Sequence, residues 1–454
     1  VDYKYLSLLL DRSVVISLTL PEVALVIQLS TLTWWSGGLV LLLALLLFFI
    51  LYLRGAFYKQ LKYRLKETPT IEASHFHLAV LGLSGSTLTK GKSTCFWFDI
   101  DEIYTERLKA IRCARRSIHF ETFYMTPGRR VNEFAAALAE KAQAGVEVFV
   151  LVDSFGVSSL PKAYWKRLRT AGVDVRFFHR FSWRAPLTYN IRTHRKLLLI
   201  DGEIVFVGGM GVSDHWDGMK EAGDTAPWLD TELCLTGAIV PILEGIFMQH
   251  WIYLNGVARL SPEVFNPTLS GECDIFVTAR DSPAAFSSVY VLFYTLLLAA
   301  KDRIWIASPY FLPDSNSRKA LIKAKKNGVD VRILTVGHHN DKKLVYYAVR
   351  ENYKDLLAAG IELYEHQPSM MHAKILLIDD NFVSTGSANL DPRSLFLNDE
   401  LNLSLAEPKL AKSIEKFFQF GFSRSRHIKM LSWQKRPLWQ RIVGRLILFF
   451  RWQL

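Results

Sequence analysis

The sequence predicts an α/β protein: two tandem α/β/α sandwich domains related by a pseudo-twofold axis, preceded by an N-terminal transmembrane helix. Three observations lead there. The same order of strands and helices recurs in the two halves of the chain. One line of residues, His-x-Lys-x4-Asp-x6-Gly, is spelled once in each half. An uncharged apolar stretch stands near the N-terminus. The expected boundaries are 1–66 for a membrane anchor with its span at about 34–53, 67–96 for a linker, 97–262 and 263–428 for the two domains, and 429–454 for a basic amphipathic C-terminal helix.

From Val23 to Leu53 there is no charged residue, and the stretch from Trp34 is about 20 residues long, enough to cross a bilayer. Trp34, Trp35 and Tyr52 stand near its ends, where amphipathic rings favour the interface. A signal peptide would have a shorter apolar region and a small-residue cleavage site, which Leu51-Tyr52-Leu53-Arg54 does not offer. Arg54, Lys59, Lys62, Arg64 and Lys66 follow the span, against Lys4 and Arg12 before it, so the following domains are expected on the cytoplasmic side. The earlier stretch Tyr5 to Leu20, broken by Asp11-Arg12 and stopped by Pro21, reads as an interfacial helix rather than a second span. Residues 67–94 read as a linker with a poorly defined strand or two.

Half one runs helix Asp101 to Arg115, strand Ser117 to Tyr124, helix Val131 to Ala144, strand Gly145 to Asp153, helix Tyr164 to Ala171 and strand Gly172 to Phe178. Half two repeats this with helix Ala284 to Ala300, strand Arg303 to Ser308, helix Ser317 to Lys326, strand Gly328 to Leu334, helix Leu344 to Ala359 and strand Gly360 to Tyr364. Strands alternating with amphipathic helices imply a mainly parallel sheet covered on both faces. The first half carries about ten extra residues, Phe181 to Arg192, a candidate lipid-facing lip of the cleft.

The repeated line is His194-Arg195-Lys196 through Asp201, and His372-Ala373-Lys374 through Asp379. One chance match in a chain this long is roughly a one-in-several-hundred event, and two in matching contexts are not chance. The four apolar residues between Lys and Asp read as a short buried strand. Residues i and i+2 of a strand share a face, so each His shares one with its Lys. The pairing suits an anion: the ammonium is a point charge for phosphate and the imidazole can attack or carry a proton. With two pairs, one His can attack phosphorus while the other protonates the leaving oxygen.

These lines, together with Gly386-Ser387-Ala388-Asn389-Leu390-Asp391-Pro392-Arg393-Ser394, resemble the paired HKD motifs of the phospholipase D superfamily over about residues 97 to 425. Ser308-Pro309-Tyr310-Phe311-Leu312-Pro313-Asp314 and Leu344-Val345-Tyr346-Tyr347 extend the resemblance to its bacterial cardiolipin synthases. The resemblance implies two phospholipase D-like domains and a phosphohistidine intermediate on the first motif's His. His194 is therefore expected as nucleophile and His372 as acid and base, although the residues themselves do not order the two. Lys196 and Lys374 supply the cations. Asp201 and Asp379 complete the catalytic set, with a structural ion-pair role as the other reading. In family terms the acids that orient the two imidazoles are Asp230 and Glu400. Ser387 and Asn389 are expected to donate to phosphate, with Asp391 as N-cap and Pro392 opening a helix. The first half departs here: Gly208-Gly209-Met210-Gly211 has neither the Ser nor the Asn, and Gly211 stands where these synthases commonly keep Asn. Glu121 and Tyr310, near strand ends, are cleft candidates, with core hydrogen bonding as the plain alternative. His215, His250, His338 and His339 read as ordinary polar histidines.

The formal net charge of +12 favours an anionic partner without choosing between acidic lipid and nucleic acid. Half of the residues are hydrophobic, which points to membrane contact. The four cysteines are scattered, with no disulfide framework or zinc spacing. No carboxylate cluster accompanies the motifs, so catalysis is expected without metal or cofactor. From Lys429 to Leu454 basic and bulky apolar residues alternate, as in a helix lying in the interface of an anionic membrane; packing on the protein's own core is the other reading.

The expected function is cardiolipin synthesis: one phosphatidylglycerol gives its phosphatidyl group to a His and a second takes it, with glycerol released. The alternatives are a phospholipase D-type hydrolase or another phosphatidyltransferase, with phosphatidylethanolamine open as co-substrate, and a membrane scaffold with a crippled site. The partners expected are anionic phospholipid, the inner membrane of a bacterium and, open in the sequence, a second copy of the chain. Nucleic acid is not expected, because no aromatic-and-basic single-strand groove is legible.

Overall fold

Runs of four apolar residues, Leu197–Ile200 and Ile375–Ile378, are buried on both sides, and a strand with no polar face must be covered above and below. The computed structural model shows how this is met; it describes residues 20–56, 65, 67–218, 226–258, 271–280 and 287–454. The chain divides into two units, Val1–Tyr58 and Lys59–Leu454.

In the first unit one helix runs Leu20–Leu53. Its segment Trp35–Leu53, 19 residues, is long and apolar enough to cross a membrane and keeps its side chains out of any core. The expected interfacial stretch up to Thr19 and the cations Lys59, Lys62, Arg64 and Lys66 lie outside the described residues.

The second unit is built on one 15-stranded sheet. Its strands are β1 (Thr87–Trp97), β2 (Ser117–Thr122), β3 (Glu147–Asp153), β4 (Asp174–Phe178), β5 (Leu197–Ile200), β6 (Ile204–Gly208), β7 (Glu232–Thr236) and β8 (Cys273–Arg280). Then come β9 (Arg303–Ala307), β10 (Asp330–Val336), β11 (Glu362–His366), β12 (Ile375–Ile378), β13 (Phe382–Gly386), β14 (Glu400–Ala406) and β15 (Ser425–Ile428). Read outward from the centre, β1-β7-β6-β5-β2-β3-β4 mirrors β8-β14-β13-β12-β9-β10-β11, with β15 added at the second edge. This is the pseudo-twofold repeat, and its axis passes between β1 and β8.

Three expectations are corrected. Residues 67–96 are more than a linker: they hold a helix, Phe76–Ser84, and β1, which pairs antiparallel with β7 on one side and β8 on the other and so fuses the two halves into one sheet. The sheet is mixed rather than mainly parallel; only β2-β3-β4 and β9-β10-β11 run parallel. The reason is local: each motif strand turns back through a three-residue hairpin, β5–β6 and β12–β13, and a short hairpin can only be antiparallel. The helix expected over 344–359 is two helices, Lys343–Glu351 and Tyr353–Ala358.

Alternation along the motif strands divides the apolar core into two layers. Leu198 and Ile200 join one cluster, with Phe134 and Leu138 of helix Arg129–Gln143 and with Leu292 and Leu296 of helix Ser288–Ala299. Leu197 and Leu199 join the other, with Leu243 and Phe247 of helix Ile239–Tyr253 and with Ile414 and Phe418 of helix Pro408–Ser423. Both layers span both halves, so the sandwich is continuous.

The hairpin corners explain the Asp of each motif. Asp201 and Asp379 adopt positive φ, 57° and 50°, which Asp tolerates better than most residues. Asp201 accepts from the backbone N–H groups of Arg115, Arg116 and Ser117 at 2.9, 2.7 and 2.9 Å. Asp379 does the same for Lys301, Asp302 and Arg303 at 3.1, 2.8 and 3.0 Å. Each lies seven residues from its His, roughly 23 Å away along an extended chain. They tie the motif hairpin to the neighbouring strand and take no part in the site. Asp201→Ala or Asp379→Ala is expected to cost about 1–3 kcal/mol in urea unfolding while activity per folded molecule stays within about twofold. A collapse of activity at unchanged stability would contradict this placement.

Candidate active site

Each motif His precedes its strand in a segment that bridges to the other half. Thr193 forms a parallel β-bridge with Asp399, and Leu229 with Met371. The His194 N–H donates to the Asp399 carbonyl at 2.9 Å, and the His372 N–H to the Leu229 carbonyl at 2.7 Å. The residues after those partners are Glu400 and Asp230. Each half therefore delivers its acid to the imidazole of the other: His194 Nδ1 lies 3.1 Å from both carboxylate oxygens of Glu400, and His372 Nδ1 lies 2.7 Å from Asp230 Oδ2. The acids are true counterparts, since Gly208 pairs with Glu232 as Gly386 pairs with Asn402, two residues beyond each acid.

The lysines fold back over their own lines. Lys196 Nζ donates to the His194 carbonyl at 2.6 Å, and Lys374 Nζ lies 3.0 Å from His372 Nε2. Both histidines are 9% exposed and both lysines 2%, so four basic groups share one nearly dry cluster. Burial, Lys196, Lys374 and His372 together hold His194 well below the ordinary imidazole value. Burial and Lys374 pull His372 down to about 4 against the pull of Asp230. Burial lowers Lys374 to about 8, against Asp230 and Glu400, while burial and Lys374 lower Lys196. Burial opposes ionisation of Asp230, yet His372 and Lys374 hold it at about 2. Burial pushes Glu400 up to about 7 against Lys196. A cluster that suppresses its own positive charge in this way is made to receive an anion.

The two acids are supported differently. Ser387 Oγ donates to Glu400 Oε2 at 2.5 Å and accepts from the Leu401 N–H, so it holds the acid and its proton is not free for phosphate as expected. At the matching place stands Gly209, where a Cβ would lie 2.2 Å from Asp230 Oδ1. Asp230 is held instead by Trp216 Nε1 and the Thr231 N–H, each at 2.9 Å. A small Gly with Asp in one half balances Ser with Glu in the other. Gly211 has its own reason: a Cβ there would meet the Tyr124 carbonyl at 2.3 Å. Arg107 secures this loop, donating to the carbonyls of Met210 and Gly211 and pairing with Glu232 at 2.6 Å. With the Tyr124 carbonyl in place an Asn side chain has no room at position 211. Asn389 is buried, and Asp391 caps helix Pro392–Phe396 through the Ser394 N–H at 2.8 Å.

Of the cleft candidates, Glu121 is fully buried behind the site, accepting from Thr193 Oγ1 at 2.5 Å and from His250 Nδ1 at 2.8 Å. Tyr310 donates to Asp341 at 2.6 Å beneath the Lys342 ammonium. Several residues escaped the sequence reading. His250, read as ordinary, bridges Glu121 and Asp399 and so braces the segment that carries His194. Asp153 does likewise through Arg192 and the Thr193 N–H. Phe123 packs edge-on to His194 at 5.2 Å, and Trp216 edge-on to His372 at 5.5 Å. Trp228, 5.9 Å from His372, had one available signal, its place two residues before Asp230.

A family model described as "Cardiolipin synthase, PLD-like domain" matches residues 108–218 and 293–420, which carry both motifs. A cardiolipin synthase of Alkalihalophilus pseudofirmus is 34% identical over 351 residues, covering 76% of this chain and 69% of that one. One from a Geobacillus species is 35% identical over 349 residues, covering 76% and 68%. Among solved structures, a phosphatidylserine synthase of Haemophilus influenzae shares the fold with a TM-score of 0.65 at 16% identity, over 83% of this chain and 99% of that one.

The crossed pairing makes a prediction independent of turnover. Asp230 raises the pKa of His372, so Asp230→Asn moves it below its value of about 4 in an NMR titration of the ring. An unchanged His372 titration would contradict the contact.

Proposed function

The chain belongs to the cardiolipin synthase family with phospholipase D-like domains and is a phosphatidyltransferase, and from that premise we propose that it joins two phosphatidylglycerol molecules into cardiolipin with release of glycerol. One observation carries the reading: two His/Lys pairs meet in one buried cluster, each imidazole held at Nδ1 by a carboxylate of the other half, which makes Nε2 the reacting nitrogen, with Lys374 Nζ 3.0 Å from that of His372.

The steps follow from the geometry. The donor phosphate enters between Lys196 and Lys374, and its negative charge restores the protons that burial and mutual repulsion weaken. Asn389 is the remaining candidate donor to its oxygens. His194 Nε2 attacks phosphorus, forming a P–N bond; the bond to the glycerol oxygen breaks and His372 supplies that oxygen's proton. The headgroup hydroxyl of a second phosphatidylglycerol then gives its proton to His372 and attacks phosphorus, breaking the P–N bond and freeing His194. Protonated His372 needs a partner while buried, and ionised Asp230 is that partner. The lysines provide the charge that a metal ion would otherwise supply. Among the described residues no group of three or more His, Cys, Asp or Glu is arranged to hold a metal. Transfer beats hydrolysis where water is kept out, which the burial of all four basic groups favours.

The protein is a membrane protein acting on phospholipid. In our reading it sits in the inner membrane of a bacterium with its catalytic unit on the cytoplasmic side, since the cations cluster after the apolar helix.

Purified protein in phosphatidylglycerol vesicles with excess EDTA is expected to give cardiolipin and glycerol in equal amounts, and His372→Ala to lower the rate about 10²–10⁴-fold. Phosphatidic acid without cardiolipin would instead make it a hydrolase. The pH profile follows from Lys374, lowered to about 8: the free enzyme loses this cation as pH rises through that value. kcat/KM is therefore expected to fall above about pH 8, and a flat profile to pH 10 would contradict the role of Lys374.

A further inference from the structure

We infer that the C-terminal helix Leu438–Leu448 and the lip Phe181–Arg192 form a second membrane contact, separate from the N-terminal helix, that docks the catalytic unit on an anionic phospholipid surface. The helix has two unlike faces. Its inner face is mounted rigidly on helix Lys343–Glu351: Gly444 packs so closely that a Cβ would meet the Tyr347 carbonyl at 2.5 Å. Arg436 pairs with Glu351 at 2.9 Å, and Trp433 Nε1 donates to the Arg350 carbonyl at 2.7 Å. Its outer face exposes Leu438, Trp439, Ile442 (58%), Leu446 (63%) and Phe449, at the spacing of one helical stripe. Packing on the protein's own core, one of the two readings of this segment, thus describes one face of the helix, and the other face is open.

Charge decides what covers the stripe. Residues 429–454 contain six Lys or Arg and no Asp or Glu; Arg436 and Arg445 lie against Glu351 at 2.9 and 3.5 Å, and the other four have no acid within the segment to offset them. A second copy of the chain would set these cations against their own kind. An anionic bilayer matches both features, apolar side chains to the acyl boundary and cations to the headgroups.

The surface is also wired to the site. Gln453 and Leu454 bond to Arg393: the Arg393 N–H donates to the Leu454 carbonyl at 3.3 Å and its guanidinium to Gln453 Oε1 at 3.4 Å. The same guanidinium donates to the Asn190 carbonyl of the lip at 2.8 Å. On that lip Phe181 and Trp183 pack together at 4.9 Å, with Trp183 86% exposed, and two residues past its end stands His194. A bilayer seated on the helix and lip is continuous with the entry to the motif histidines.

The test places a photo-crosslinker on the stripe, Ile442→benzoylphenylalanine, in the full chain reconstituted in nanodiscs. The N-terminal helix keeps every variant on the disc, so the adduct reports the local contact alone. Adducts to lipid are expected in phosphatidylglycerol discs. Each basic residue near an anionic surface contributes a factor of about five, so Lys435→Gln/Arg441→Gln, the first exposed and the second half-buried, should lower the yield about twenty-fivefold at unchanged melting temperature. Adducts confined to the protein itself, chain-to-chain crosslinks, or a yield indifferent to the two charges would each overturn the inference.

Discussion

Two short parallel β-bridges, Thr193 to Asp399 and Leu229 to Met371, are the constraint on which the site depends. A single half of this fold has a His and a Lys but no acid for that His. The acid comes from the other half, and the bridge that brings it also fixes the backbone of the His it serves. The pseudo-twofold axis therefore does more than duplicate a domain. It makes each half the positioning element of the other, with β1 and β8 joining them into one sheet so that the distance between the motifs is set by strand register.

Burial gives this arrangement its chemistry. Four basic groups at high exposure would be hydrated and indifferent to one another. In a dry cluster they lower each other's charge, and a phosphate that enters relieves both the repulsion and the lost solvation. Asp230 stays ionised beside His372 while burial brings Glu400 near neutrality, so the two pseudo-equivalent imidazoles are not alike. An unsymmetrical pair suits a reaction in which one His attacks and the other moves protons.

Much of this was legible in the sequence because periodicity and repetition are local. The His-x-Lys spacing just before a buried strand put each His beside its Lys, and the repeated helix–strand order recovered most elements to within a few residues. The errors came from pairings that no local pattern carries. β1 was legible only as a poorly defined strand within a linker, because its burial is irregular and both its partners, β7 and β8, are distant in sequence. Asp201 and Asp379 looked catalytic because they recur with the motif, whereas they recur because each hairpin needs the same three N–H groups tied. Ser387 looked like a phosphate ligand until Glu400 was found at its hydroxyl. His250 and Trp216 act through contacts made only when the chain folds, and their surroundings in sequence gave no sign. Gly211 departs from the expected Asn, and the reason, a Tyr124 carbonyl that leaves no room for a side chain, comes from a residue distant in sequence.

The crossed assignment of acids is the centre of the account, and adduct formation tests it directly. With a phosphatidyl ester whose leaving group needs no proton, such as p-nitrophenol, the covalent adduct depends on the attacking His and its acid alone. Glu400→Gln is expected to behave as His194→Ala, with little adduct on rapid quenching, while Asp230→Asn behaves as His372→Ala and accumulates it. Glu400→Gln grouping with His372→Ala, and Asp230→Asn with His194→Ala, would mean that each half serves its own histidine, and the account would fail.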